Sequence, residues 1–221
     1  MQIGLFGGTY NPVHIGHLRA ALEVKEGFDL DEVFLIPAAL PPHKISGDVA
    51  DAADRLHMLS LALEDTTGLT ISDVELKRSG PSYTIDTVQH FKHSLPEQSR
   101  IYLIMGMDAF LEIDTWKSYD ELLKQIPFVI INRPKSGSAA SDCGWDFLGK
   151  FLASKISKDY VYSESQNCYR AKNKQPVYVF EVTSLDISST RVRNLINTGR
   201  SIEYFVPRKV AEFINSKGLY L

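Results

Sequence analysis

Two histidines three residues apart, His14 and His17, follow a glycine-rich turn, Gly7-Gly8-Thr9, and the pair Asn11-Pro12. Side chains spaced by three at a helix start share one face, so both imidazoles can reach a single phosphate chain. Gly7 and Gly8 let the backbone pass close to a ligand, and the N–H groups of the helix start favour a phosphate. These residues suit the clamping of a phosphate chain. The same residues also fit a plain turn followed by one capping and one packed histidine. An apolar run at 3–6 feeding directly into Gly7 weighs toward the phosphate reading. Far along the chain, Ser188, Ser189 and Thr190 are capping residues before an apolar-periodic run, and Arg193 stands one turn further on, able to project toward an anion at that start. Alone this is a capped helix; with the first segment it supplies two phosphate-facing helix starts to what could be one site.

Positioning these residues requires a scaffold. β-rich runs at 3–6, 33–36, 69–76, 101–105, 128–131 and 177–182 alternate with helical apolar spacing at 15–26, 52–64, 84–92, 119–124, 189–197 and 208–216. Such alternation predicts an α/β fold with a doubly wound, mostly parallel sheet flanked by helices, in one domain spanning 1–221. Pro207 suits the first turn of the last helix and Gly218 its exit. Residues 69–76 alternate as a strand with one wet face would, which fits an edge or a small antiparallel extension. Residues 135–175 lack a clear period and read as an irregular surface excursion before the last strand. Within it Trp145, Leu148, Phe151 and Leu152 are spaced for a short amphipathic helix that could dock on the domain or on another subunit, so a homo-oligomer stays open.

With 44% hydrophobic and 23% charged residues, the 221-residue chain has the composition of an ordinary globular protein. A formal charge of -3 argues against a nucleic-acid surface, so any anion site must be local. No stretch is long enough to span a membrane, and no secretory leader precedes the first strand. Two cysteines, Cys143 and Cys168, are too few for a disulfide framework or a structural zinc site, which favours a reduced, cytoplasmic setting.

Gly7-Gly8-Thr9-Tyr10-Asn11-Pro12-Val13-His14-Ile15-Gly16-His17-Leu18 resembles the signature of the nicotinate-mononucleotide adenylyltransferases, nucleotidyltransferases with a Rossmann-like fold and a His-x-Gly-His motif. Ile187-Ser188-Ser189-Thr190, followed by Arg191 and Arg193, is similar to that family's second ATP motif. The resemblance implies that Gly7, Gly8, Thr9, His14, His17, Ile187, Ser188, Ser189, Thr190 and Arg193 bind ATP. Gly106 and Asp108 of Met105-Gly106-Met107-Asp108 match the family's Gly-x-Asp element and join that set; read alone, Asp108 is a helix cap.

The intervening segments are assigned by the same resemblance to the second substrate, nicotinate mononucleotide. Pro41-Pro42-His43-Lys44 follows the second strand, where a proline-stiffened loop can hold His43 and Lys44 at an anion, although alone it also reads as a solvated turn. Ser82-Tyr83-Thr84 opens a helix whose hydroxyls and amides can bond the pyridine carboxylate; otherwise Thr84 is a cap and Tyr83 a core residue. Trp116 stands where the family stacks an aromatic on the pyridine, and Asn11 and Arg133 complete the set. Lys135-Ser136 departs from the glycine expected after the Arg133-Pro134 turn, and Tyr10 stands where phenylalanine is frequent.

The implied reaction transfers AMP from ATP to nicotinate mononucleotide, with His14, His17, Lys44 and Arg193 as the catalytic residues. Mg²⁺ would accompany the ATP, with no protein metal ligand, and neither nucleic acid nor membrane would be a partner. Rival readings are an adenylyl- or cytidylyltransferase acting on another phosphorylated acceptor, and a non-catalytic nucleotide sensor retaining the fold.

Overall fold

The computed structural model describes residues 1–39, 49–132 and 145–221. Apolar residues with a period of two run through the central strands and send alternate side chains to opposite faces. In β1 (Gln2–Gly8), Ile3 and Leu5 enter one core and Phe6 the other; in β4 (Arg100–Gly106), Ile101, Leu103 and Met105 oppose Tyr102 and Ile104. The strand β5 (Phe128–Asn132) divides in the same way. Both faces therefore need cover, and helices on each side provide it.

On one face lie α1 (Ile15–Gly27), α2 (Ala52–Leu63), α7 (Ser189–Asn197) and α8 (Arg208–Lys217), packed through Val24, Met58, Val192 and Val210. On the other lie α3 (Thr84–Ser94), the short α4 (Met107–Phe110), α5 (Tyr119–Gln125) and α6 (Trp145–Phe151), packed through Val88, Phe110, Leu122 and Leu148. The remaining strands are β2 (Glu32–Pro37), β3 (Leu69–Ile71), β6 (Val161–Ser163), β7 (Cys168–Arg170) and β8 (Val177–Glu181). Together the eight strands form one sheet in the order β3-β2-β1-β4-β5-β8-β7-β6. Pairing is parallel from β3 through β8 and antiparallel at β8, β7 and β6. Strand order reverses between β1 and β4, the switch point beyond whose carboxyl ends doubly wound sheets bind ligands.

Two expectations need correction. The strand expected at 69–76 ends at Ile71; the chain then turns, with Lys77 N–H donating to Asp73 O and Arg78 N–H to Glu75 O. It does lie at the sheet edge, but it pairs in parallel with β2 rather than antiparallel. Beyond that turn Glu75 is buried and accepts a 2.8 Å hydrogen bond from the Thr87 hydroxyl. The described part of the excursion expected to be irregular, residues 145–175, contains regular elements. It holds α6, a π-helical turn Leu152–Ile156 and the β6–β7 hairpin, closed by Asn167 at a φ of 50°. Leu148 and Leu152 are fully buried, as the spacing of that helix predicts, and the Tyr169 hydroxyl donates to Trp145 O at 2.6 Å. The hairpin escaped notice because its strands are three residues long and β6 is largely exposed, leaving no period to read. Among the described residues, no helix is long and apolar enough to cross a membrane.

Candidate active site

The segment between β1 and α1 turns sharply in the interior. Tyr10 adopts a φ of 49°, and the Asn11–Pro12 peptide is cis. The Tyr10 ring is buried, its hydroxyl donates to Phe6 O at 2.6 Å, and its edge meets His17 with ring centres 5.1 Å apart. Burial, helped by the Glu75 carboxylate, pushes the phenol well above its ordinary pKa, so it remains a neutral donor. The hydroxyl that distinguishes Tyr10 from phenylalanine thus satisfies a strand-end carbonyl.

His14 caps α1 and His17 is its third residue. His17 N–H donates to His14 Nδ1 at 3.3 Å, His14 N–H donates to His17 Nδ1 at 3.2 Å, and the rings stack 3.6 Å apart. The pair forms a capping box built from imidazoles. A neutral imidazole that accepts at Nδ1 carries its proton on Nε2, so this network assigns both rings as Nε2–H donors, the form a phosphate oxygen can accept from. Gly16 makes the arrangement possible: a Cβ there would lie 3.1 Å from His14 Nδ1. The backbone plays less of a phosphate-facing part than the sequence suggests, because Ile15 N–H is already bonded to Phe205 O at 2.9 Å.

The turn's carbonyls draw donors from distant parts of the chain. Arg193 donates to Asn11 O at 2.9 Å, and the Ser189 hydroxyl donates to Pro12 O, also at 2.9 Å. Ser188 caps α7 by accepting from Arg191 N–H at 3.1 Å, and Arg193 also reaches the Thr190 hydroxyl at 3.4 Å. The starts of α1 and α7 are thereby joined, as their common phosphate-binding reading requires. Arg55, 1% exposed, donates to Thr9 O at 2.8 Å, Ala50 O at 3.0 Å and Ala39 O at 3.3 Å. Burial lowers its pKa, yet a guanidinium stays charged over the working range.

Beside this turn, at the carboxyl ends of β1, β2 and β4, lies a cavity of about 400 Å³. Gly7, Gly8, Thr9 and Gly106 line it together with Ser82, Tyr83, Thr84 and Trp116. That volume lies in the range of small-ligand sites, roughly 300–1,000 Å³. Ser82 also accepts from Ala39 N–H at 2.9 Å, and Tyr83 caps α3. Among the described residues the lining carries two carboxylates, Glu75 and Glu112, and one cation, Lys117. Lys117 Nζ sits 4.4 Å from the Tyr83 ring centre and 3.3 Å from Asp86 Oδ2.

The fold therefore gathers most of the residues singled out from the sequence around one turn and one cavity. Asn11 is buried, with Oδ1 accepting from Ala50 N–H at 3.0 Å and from the Tyr220 hydroxyl at 2.8 Å, so it also ties the turn to residue 220. Asp108 is exposed in the first turn of α4 and does not line the cavity, unlike Gly106. His43, Lys44 and Arg133 lie outside the described residues. Sequence reasoning missed Arg55, Glu75, Lys117 and Tyr220. A signal existed for Arg55, which occupies the same helical stripe as Met58, Leu59 and Ala62 and is therefore a charge on a core-facing position. Glu75 and Tyr220 act through partners far away in sequence and left none.

Fold and site together define a nucleotidyltransferase, and residues 5–195 match the family model described as cytidylyltransferase-like. A probable nicotinate-nucleotide adenylyltransferase of Desulfatibacillum aliphaticivorans is 41% identical over 223 residues, covering 100% of both chains. A second, from Pseudomonas fluorescens, is 38% identical over 99% of this chain and 97% of its own. The chain belongs to the nicotinate-nucleotide adenylyltransferase family. In fold it is similar to the Plasmodium falciparum nicotinic acid mononucleotide adenylyltransferase solved in complex with NaAD, at a TM-score of 0.73 and 16% identity over 99% of this chain and 97% of that one.

Removing Arg55 leaves three part-buried carbonyls short of a donor, each costing up to about 1–3 kcal/mol when unsatisfied, less whatever water recovers. Arg55→Ala is expected to lower stability by about 2–4 kcal/mol in denaturant unfolding. Arg55→Lys should restore little, because an ammonium lacks the planar fork that reaches three acceptors.

Proposed function

We propose that the chain transfers the adenylyl group of ATP to nicotinate mononucleotide, giving nicotinate adenine dinucleotide and pyrophosphate. The observation that carries this reading is the joining of two sets of residues along the segment from Gly7 to His17. The α7 start bonds the carbonyls of Asn11 and Pro12, next to the stacked His14 and His17, while Ser82, Tyr83, Thr84 and Trp116 line one cavity with Gly7, Gly8 and Thr9. An oxygen of the acceptor's 5′-phosphate forms a bond to the α-phosphorus, and the bond from that phosphorus to the α,β-bridging oxygen breaks. The nucleophile arrives already anionic, so the protein supplies position and charge rather than a covalent intermediate. The Nε2–H groups of His14 and His17 donate to the triphosphate as charge moves onto the leaving pyrophosphate, with Arg193 and Lys44 adding positive charge.

On the acceptor side the donors that suit a ring carboxylate are the N–H groups and hydroxyls at the start of α3 and the Lys117 ammonium, set against the negative charge of Glu75 and Glu112. Trp116 offers a ring face for the pyridine. Mg²⁺ enters with ATP. The residues of the turn suit it poorly as ligands, since the carbonyls of Thr9, Asn11 and Pro12 already bond Arg55, Arg193 and Ser189; phosphate oxygens and water therefore make up its shell. The reaction suits a reduced cytoplasmic setting and involves neither nucleic acid nor a membrane.

His17→Ala should raise the barrier to adenylyl transfer by about 2.7–4 kcal/mol, a loss of roughly 10²–10³ in turnover. Steady-state rates checked alongside circular dichroism test this, and turnover at the unmodified level would contradict the role. In a competition between nicotinate mononucleotide and its amide, the acid should give the higher kcat/KM. Lys117→Gln should shrink that preference roughly two- to fivefold, the scale of a partly exposed ion pair. An amide preference in the unmodified protein would overturn the acceptor assignment.

A further inference from the structure

A second cavity, of about 820 Å³, opens at the opposite edge of the sheet, at the amino ends of β4, β5 and β8. Lys92 from the last turn of α3, Arg100 from β4 and Arg170 from β7 all contribute to its lining, against one carboxylate, Glu97. None of the ion pairs among the described residues involves these three cations. Arg170 instead donates to the side-chain oxygen of Gln166. Burial raises the Tyr178 phenol's pKa, and the Arg170 and Arg100 guanidiniums oppose that shift, so both charges act on one ring. Ser99 Oγ, in the same wall, is buried without a hydrogen-bond partner.

Three exposed cations from three elements line one concave site in which Glu97 is the one carboxylate among the described residues, and that excess of positive charge favours an anion. The rest of the lining calls for more than a bare one. Tyr102 and Tyr178 bring aromatic rings, and the side chains of Gln125, Gln166 and Gln175 bring the paired donors and acceptors that suit the edge of a heterocycle. The volume is within the range of small-molecule sites and far exceeds what one phosphate ion needs. We propose that this cavity is a second ligand site, and that it takes a mononucleotide: a phosphate monoester held by Arg100 and Arg170, with its ring against the tyrosines. It is separate from the reaction site. β4 runs seven residues from Arg100 here to Gly106 in the first cavity, a span of roughly 20 Å.

The proposal does not depend on the reaction assigned above, and its test reads the site itself. The intact protein is treated with phenylglyoxal, and modification of Arg100 and Arg170 is followed by peptide mass spectrometry, with AMP, with inorganic phosphate at equal concentration and ionic strength, or with neither. AMP should slow modification of both arginines severalfold, and inorganic phosphate should protect far less. In Arg100→Ala, the AMP concentration needed to protect Arg170 should rise about tenfold, the loss expected for one hydrogen bond to a charged group, while turnover stays unchanged. Equal protection by phosphate would overturn the mononucleotide assignment. Modification rates indifferent to AMP would overturn the site.

Discussion

A chain that turns sharply between a buried strand and a helix leaves carbonyls that its own neighbours cannot reach, and in the interior each must find a donor. Here those carbonyls belong to Thr9, Asn11 and Pro12, and their donors are Arg55 of α2 and Arg193 and Ser189 of α7. Tyr220, next to last in the chain, adds a bond to the Asn11 side chain. The need to satisfy one turn thus fixes where two helices and the C-terminus sit. An unsatisfied buried group costs about 1–3 kcal/mol, a large share of the about 5–15 kcal/mol that separates folded from unfolded protein.

Chemistry follows from the same constraint. Arg193 and Ser189 satisfy the turn and in doing so bring the α7 start close to the α1 start, so the second helix start of the proposed ATP site is placed by structural bonds. The stacked imidazoles satisfy each other's backbone N–H groups, which assigns the proton of each ring to Nε2. Arg55 bonds Ala39 and Ala50 as well as Thr9, and Ser82 bonds Ala39 N–H. The cavity and the turn, the proposed acceptor and phosphate sites, are consequently held by shared residues, which suits a reaction that depends on holding two reactants in line.

Much of this could be read from the sequence where the signal was local. The helix expected at 189–197 has the same bounds as α7, and the central strands differ from their apolar runs by one or two residues at either end. His14, His17, Ser82 and Trp116 were legible because their segments resemble a known family over consecutive residues. What stayed hidden was non-local: Glu75 is buried where it accepts a hydrogen bond from Thr87, 12 residues further along the chain. Arg55 shows in the sequence as a charge on a core-facing helical stripe, but which groups it bonds appears only when Thr9, Ala39 and Ala50 are brought within reach. The β6–β7 hairpin is too short to show a period, and its place in the sheet depends on β8.

The most direct test is pyrophosphate release from ATP measured across a panel of phosphorylated acceptors: nicotinate mononucleotide, nicotinamide mononucleotide, phosphopantetheine and a simple alcohol phosphate. Release should be fastest with nicotinate mononucleotide, with nicotinate adenine dinucleotide formed in equal amount. ATP binding without release for any acceptor, or release that prefers phosphopantetheine, would contradict the account.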